Sequence, residues 1–362
     1  MIPEFSEALA AARGLRLSPP EIVRLSNQFG TEATRWAFEQ WELRSRAKVK
    51  FARAEDMFFV REALEQATHE RVAAYHASLF PAGAPVVDMT VGLGADLIAL
   101  AARGPVLGYE LDAERADYAC RNLAAHGLSG EVVVGDSLEA ALGRYAFADP
   151  ARRTGGSRTA DLHAFAPDPF VLAERFRELD LAVMKLGPGT ADMDLATLSD
   201  RTEFVSFGGE CREALVVFGG EPWRGAVRVE TGLRVATGGY AQEGEPDAWL
   251  FDPDPAAVRA NAVGTIAQRH GLMGLGGYLT GPERIEDEWL RTYRILWTGR
   301  PDVSDLNRAL RELGGRAFEA KSRAGGFDAP PLLAKLKGAG DRLVSLVLWR
   351  EGRRVAAALV EA

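Results

Sequence analysis

From the start of the chain to about Phe80 the apolar positions recur at helical spacing. One start signal is sharp: Ser18-Pro19-Pro20-Glu21 offers a serine cap, proline in the first turn and a glutamate three residues after the cap. The pattern predicts a helical N-terminal domain over residues 1–80. Past Pro85 the rhythm changes to short apolar runs separated by turns and amphipathic stretches. Strands are expected at Val86–Met89, Val106–Glu110, Glu131–Val134, Tyr145–Ala148, Leu181–Lys185, Glu203–Phe207 and Ala214–Phe218. Helices are expected near Ala95–Ala102, Ala113–His126 and Asp168–Glu178, between successive strands. Such alternation, with strands that are nearly continuous Val, Leu and Ile, implies a parallel sheet covered on both faces. The last two strands follow one another without a long helix, which suits an antiparallel edge pair. An α/β domain is therefore expected over residues 81–225.

Beyond about Ala226 the apolar runs shorten and become Gly-rich, and residues 254–268 read as helix. The final stretch orders as helix (Val303–Leu313), strand (Arg316–Lys321), helix (Pro330–Lys337) and two strands (Leu343–Trp349 and Arg354–Val360). The turn Glu351-Gly352-Arg353 joins the last two as a hairpin. Residues 226–362 are thus expected to form a small α+β domain.

Composition narrows the function classes. The 362 residues are 47% apolar and 26% charged, ample for more than one hydrophobic core and unlike a disordered chain. No apolar run reaches the roughly 18 residues needed to span a bilayer, and acids stand at the start where a signal peptide carries basic residues. The expectation is a cytoplasmic protein without a membrane partner. Two cysteines, Cys120 and Cys211, lack Cys-x-x-Cys spacing, so no zinc knuckle, iron–sulfur cluster or disulfide framework is expected and both read as packing residues. His69 and His76 stand seven apart, too far to chelate a metal, and no metal site is expected.

The net charge of −8 confines any nucleic-acid contact to a local patch. Residues 306–354 carry eleven Lys or Arg against five Asp or Glu, which fits a polyanion-binding face and equally a solvated basic domain. Trp36, Phe38, Trp41 and Phe51 near Arg44-Ser-Arg-Ala-Lys-Val-Lys50 fit either an RNA-facing stripe or a helix with a buried aromatic side.

The most informative stretch is Val86-Val-Asp-Met-Thr-Val-Gly-Leu-Gly-Ala-Asp96, a buried strand ending in an acid and passing through two glycines into a helix. Gly92 and Gly94 let the backbone run close to a ligand, and a helix start presents unpaired N–H groups. Glu110, Gly135-Asp136-Ser137 and Asp149-Pro150-Ala-Arg-Arg153 close the next three strands, where open α/β sheets bind ligands.

With the acid before the glycines, this run resembles the first motif of S-adenosylmethionine-dependent methyltransferases. The likeness spans residues 84–220. It implies a seven-stranded Rossmann-like core that binds S-adenosylmethionine through Asp88, Thr90, Gly92, Gly94, Glu110, Asp136, Ser137, Asp149 and Pro150. Glu110 or its neighbour Asp112 would accept the ribose hydroxyls, and the acid of the third strand would meet the adenine amine. The helical start, Phe251-Asp-Pro-Asp-Pro-Ala-Ala-Val-Arg259 and the terminal helix–strand–helix–strand–strand order resemble the bacterial methyltransferases with a C-terminal THUMP-like domain. That resemblance implies structured RNA, tRNA or rRNA, as the partner, met through the basic C-terminal domain.

The fourth strand end narrows the chemistry. Amino-group methyltransferases carry Asp/Asn-Pro-Pro-Tyr/Phe here, whereas Ala151 and Arg152 replace the second proline and the aromatic, so base stacking would come from elsewhere or from Arg152 lying flat on the base. Asp-Pro-Ala-Arg also resembles the RNA 5-methyluridine methyltransferases, but Val183-Met-Lys-Leu-Gly-Pro-Gly189 lacks their cysteine. Asp149, Lys185 and Glu213 resemble three members of the Lys-Asp-Lys-Glu tetrad of RNA 2′-O-methyltransferases, with Lys48 and Lys50 as candidates for the first lysine. Asp149, Arg152, Lys185 and Glu213 are therefore the expected catalytic residues, and the acceptor is a base amine or a ribose 2′-hydroxyl. A structural ion pair of Lys185 with Asp149 or Glu213 is the competing reading. Alternatives at the level of function are an inactive RNA-binding protein that keeps the cofactor pocket, a small-molecule methyltransferase and, more distantly, a dinucleotide-dependent oxidoreductase. The loop Arg152–Arg158, followed by His163, fits a segment that closes over substrate through its arginines and equally a disordered excursion without function.

Overall fold

The computed structural model describes residues 3–152 and 161–362, with the side chain of Arg152 also outside the described set. Contacts divide the chain into two compact units, Met1–Arg201 with Leu215–Pro222, and Thr202–Ala214 with Trp223–Ala362. Among the described residues no helix is long and apolar enough to cross a membrane.

The first unit begins with helices α1 (Pro3–Ala11), α2 (Pro19–Phe29), α3 (Thr31–Ala47), α4 (Arg61–Gln66) and α5 (Glu70–Ser78). Proline in the first turn starts α2 after Ser18, although the serine side chain makes no capping bond. The aromatic run is turned inward. Phe38, Phe51 and Phe59 are buried, and the buried Arg44 guanidinium lies over the rings of Trp41 and Phe58 while its Nε donates to Met57 O at 2.8 Å. Met57, Phe59 and Leu64 share one hydrophobic cluster with Leu93 and Tyr118 of the α/β part. Asn122 ties the two together, accepting from Phe58 N at 2.7 Å and donating to Leu93 O at 2.9 Å.

The α/β part follows as β1 (Val86–Asp88), α6 (Ala95–Ala101), β2 (Val106–Glu110), α7 (Ala113–Ala125), β3 (Glu131–Val134), β4 (Tyr145–Ala148), α8 (Pro169–Phe176), β5 (Leu181–Leu186) and α9 (Asp192–Leu198). Strands β1–β5 are parallel, in register Val86↔Val106, Asp88↔Phe147, Glu110↔Val134 and Ala148↔Met184. Leu97, Ala119 and Leu123 bury the inner faces of α6 and α7 against Val91, Val106 and Val132. Helix α9 lacked a clear sequence signal, since its seven residues span barely two turns.

Strands β6 (Arg201–Phe207) and β7 (Glu210–Phe218) form a hairpin, but not the edge pair expected, because two further strands lie beyond it in the sheet. Gly208 and Gly209, both at positive φ (66° and 74°), make its two-residue turn, which glycine adopts without strain. The sheet continues through β8 (Trp223–Arg228) and β9 (Arg234–Ala236), in the order β9-β8-β6-β7-β5-β4-β1-β2-β3. Among the described residues it thus holds the seven expected strands and two more. β8 was hidden because its alternation is broken by Gly225, which presses against the Val235 carbonyl.

The remaining elements are β10 (Trp249–Pro253), α10 (Pro255–Arg259), α11 (Val263–His270), β11 (Met273–Leu275), β12 (Tyr278–Gly281), β13 (Leu290–Gly299), α12 (Val303–Glu312), β14 (Gly315–Ser322), α13 (Ala329–Leu333), β15 (Arg342–Glu351) and β16 (Arg354–Glu361). The segment expected as one helix over 254–268 is two, broken where Asn261 takes φ 54°. The strands form a second sheet, β11-β12-β10-β13-β16-β15-β14, in which β14 and β15 are parallel across α13 and β15 and β16 form the terminal hairpin. Leu306, Leu310, Leu346, Leu348 and Leu359 form its core beneath α12.

Candidate functional site

The parallel register brings the C-terminal ends of β1, β2, β4 and β5 to one edge, and with them Asp88, Glu110, Asp149 and Lys185. Asp88 is fully buried; its Oδ1 accepts from Thr90 N at 3.0 Å, and its Oδ2 has no hydrogen-bond partner among the described residues. Burial holds this carboxyl well above the usual carboxylate range. The Thr90 N–H opposes the shift, and the charges of Asp96, Asp149 and Glu110 add to it.

The loop from β1 into α6 is shaped by Gly92 and Gly94, at φ 56° and 85°. Glu110 braces it: one carboxylate oxygen accepts from Gly92 N at 2.8 Å and the other from Asp112 N at 3.0 Å. Asp112 itself caps α7, accepting from Glu114 N and Arg115 N. Of the two acids left open for one role, Glu110 therefore faces the glycine loop, and Asp112 is committed to the helix end.

Asp149 N donates to Thr90 Oγ1 at 2.6 Å, which joins the fourth strand end to the first. Lys185 Nζ donates to Asp149 Oδ2 at 2.5 Å and to Thr68 Oγ1 at 2.9 Å. The Thr68 hydroxyl donates to Asp96 Oδ2 at 2.8 Å, and Asp96 Oδ1 lies 2.7 Å from His76 Nδ1. His76 is wholly buried, with its ring stacked on Phe147 at 5.3 Å. Burial alone would raise the Asp96 carboxyl, but His76, Lys185 and Thr68 outweigh it, and the group titrates below its ordinary range.

The other expected residues divide. Pro150 is buried beside Asp149, and Ser137 is buried at the end of β3. Asp136 is exposed and caps a single 3₁₀ turn, accepting from Leu138 N at 2.9 Å. Glu213 is buried on β7 within Thr202–Ala214 of the second unit, whereas Asp149 and Lys185 belong to the first. Arg152 ends a two-residue strand paired with Phe165–Ala166, and residues 153–160 of the arginine-bearing loop lie outside the described residues. His163 is an exposed cation-favouring group, held by Asp168 at 2.8 Å, which raises its pKa.

Both candidates for a first lysine have structural duties. Lys48 pairs with Glu55 at 2.6 Å, and Lys50 donates to the carbonyls of Leu64, Glu65 and Ala67 at the end of α4. Cys120 is exposed on α7 and not a packing residue, because its helix position falls outside the buried stripe. Cys211 is half-buried, with its thiol pushed up to about 12 by burial.

Sequence reasoning missed Thr68, His76 and Asp96, which are drawn together from a loop and two helices with no common spacing. It also missed Leu111 and Leu138, exposed apolar side chains directly after Glu110 and Ser137 at the ends of β2 and β3. Large exposed apolar residues adjoining strand-end acids are the signal that could have found them.

Two proteins of Mycobacterium tuberculosis, from strains CDC 1551 / Oshkosh and H37Rv, are each 32% identical to this chain over 348 residues, covering 90% of it and 95% of their own length. Each is described as an uncharacterised S-adenosylmethionine-dependent methyltransferase. The crystal structure of a provisionally named methyltransferase from Porphyromonas gingivalis W83 shares the fold with a TM-score of 0.80 at 22% identity, over 99% of this chain and 96% of that one. No protein-family model matches the sequence.

Proposed function

We propose that this chain, which belongs to the S-adenosylmethionine-dependent methyltransferases, holds its cofactor along the C-terminal ends of β1, β2 and β3 and methylates structured RNA, tRNA or rRNA, at the Asp149 side. The residues suit the group. The buried Asp88 Oδ2, without a partner among the described residues, is an acceptor that a cation such as the α-ammonium of the methionine end would satisfy. Each Glu110 oxygen accepts one backbone N–H and keeps a second lone pair for a ribose hydroxyl. Leu111 and Leu138 offer apolar faces to an adenine ring, with Asp136 and Ser137 beside its amine. Thr90, Gly92 and Gly94 shape the backbone between them.

The bound cofactor supplies an electrophilic methyl carbon on a cationic sulfonium. Asp149 is the group we assign to the acceptor, because a carboxylate held by the Lys185 ammonium can accept the hydrogen of a hydroxyl or amine and aim its lone pair. The buried Asp88 Oδ2 beside the glycine loop, without a partner among the described residues, is the observation that carries the reading, and the ion pair marks the acceptor side next to it. Pro150 stiffens the turn, and Arg152 and Glu213 stay as further candidates.

The basic balance of residues 306–354 and the resemblance of residues 226–362 to a THUMP-like domain support RNA as the partner. One observation favours a second reading, a small-molecule acceptor: Arg308, Lys321, Arg323 and Arg342 are already paired with Asp305, Asp252 and Glu361. Transfer of labelled methyl from S-adenosylmethionine to total RNA, beside a metabolite extract, decides between them. Label in RNA that Asp149→Ala abolishes, with S-adenosylhomocysteine binding kept, supports the first. Label confined to small molecules overturns it in favour of the second.

A further inference from the structure

Lys185 is gripped from two sides. Its ammonium donates to Asp149 at the end of β4 and to Thr68 in the segment between α4 and α5. Behind Thr68 stand Asp96, in the first turn of α6, and His76 of α5. The directions of these bonds are mutually dependent. An ammonium only donates, so the Thr68 oxygen must accept, and its one hydrogen must pass on to Asp96. Asp96 as a carboxylate then accepts from Thr68 and from the Nδ1–H of His76, whose ring is locked against Phe147. Every member is buried or nearly so: Thr68, His76 and Asp96 are 6%, 0% and 8% exposed.

A lysine side chain has four flexible bonds, and one ionic contact lets its head pivot. A second acceptor in a fixed direction removes that freedom. Threonine suits the place because one hydroxyl can take a hydrogen from the cation and give one to the anion. Valine has the same shape and can do neither.

We propose that Thr68, backed by Asp96 and His76, is a positioning residue that fixes the Lys185 ammonium against Asp149, so that the N-terminal helical segment sets the acceptor side of the active site. This rests on the reading of Asp149 and Lys185 as the acceptor-side pair.

The chain has six lysines, few enough for their ammonium signals to be resolved by nitrogen-detected NMR of the full-length protein. Lys185→Arg identifies the Lys185 signal. In the wild type and in Thr68→Ser that signal is slow to exchange with water and shifts when S-adenosylhomocysteine is added. In Thr68→Val its exchange accelerates by about tenfold or more, the effect of losing one charge-assisted hydrogen bond. Thr68→Ala tests the same loss should the valine variant fail to fold. Unchanged exchange in a folded Thr68→Val or Thr68→Ala protein overturns the positioning role. A Lys185 signal indifferent to bound S-adenosylhomocysteine overturns the acceptor-side placement. Calorimetry on the same samples keeps the claims apart, since a folded wild type that binds no S-adenosylhomocysteine overturns the proposed function instead.

Discussion

Asp88 and Asp96 flank the glycine loop, both buried, and titrate in opposite directions. Desolvation acts on each. Asp96 overcomes it with His76, Thr68 and the charge of Lys185, whereas for Asp88, among the described residues, the Thr90 N–H alone stands against burial and three neighbouring carboxylates. One acid is satisfied by the protein, and the other keeps one oxygen without a partner among the described residues, which the proposed cofactor would satisfy. The loop between them is where the proposed cofactor cleft lies.

Asp88→Asn should stabilise the ligand-free protein. With its folded pKa raised, Asp88 costs nothing below the unfolded value near 4 and an increasing amount as pH climbs toward the folded value. The expected gain at pH 8 is about 1 kcal/mol and shrinks at pH 4, measured by urea unfolding at both. Binding of S-adenosylhomocysteine should be lost in the same variant, and a variant no more stable than the wild type at pH 8 would contradict the raised carboxyl.

Asp96→Asn should do the reverse. Its folded pKa is lowered, so its stabilisation is present above the unfolded value near 4 and disappears as pH falls through the folded value. The variant should lose about 3 kcal/mol at neutral pH, the usual cost of breaking a buried charged pair, and show a flatter acid limb below about pH 4. Melting temperatures between pH 2.5 and 7 check both parts.

Gly92→Ala separates stability from binding. A Cβ there meets no atom of the described residues within 4 Å, but the residue sits at φ 56°, so left-handed strain of about 1 kcal/mol is expected. S-adenosylhomocysteine affinity should fall by at least about tenfold, because the methyl group stands where the backbone must approach the ligand. Calorimetry beside a thermal melt gives the two numbers, and wild-type affinity would refute the glycine loop as a cofactor wall.

Glu110→Ala removes the brace between Gly92 N and Asp112 N as well as the proposed ribose acceptor. Binding of S-adenosylhomocysteine should become undetectable by calorimetry at micromolar protein. Glu110→Gln, which keeps one acceptor oxygen, should retain weak binding.

RNA association through the C-terminal part should be salt-dependent. Reversing the exposed Lys335, Lys337, Arg353 and Arg354 to glutamate should weaken RNA retention on filters by about tenfold at 50 mM salt and leave S-adenosylhomocysteine binding intact. Equal retention by wild type and variant would remove this surface from the RNA contact.

Much of the candidate site could be read from the chain because a parallel strand announces itself by continuous apolar residues and ends where they end. Asp88, Glu110 and Asp149 each stand at such an end, and the Lys185–Asp149 pair was one of the two contacts anticipated for that lysine. His76 carried no such mark. A buried histidine and a surface histidine look alike in sequence, and what separates them is an acid, Asp96, brought opposite by packing. Lys50 shows the converse: a lysine in a basic run, open to a catalytic reading, spends its three hydrogens on the end of α4.

The sequence by itself determined the alternation of strands and helices, the glycine loop after β1 and the acids at the strand ends, because hydrophobic period and backbone freedom are local properties. Only the tertiary structure decided that β8 and β9 extend the sheet, that Glu110 and not Asp112 braces the loop, and that Thr68, Asp96 and His76 stand behind Lys185. Those outcomes depend on which polar groups are buried together. A buried donor or acceptor must find its partner wherever the fold places one, at any separation along the chain.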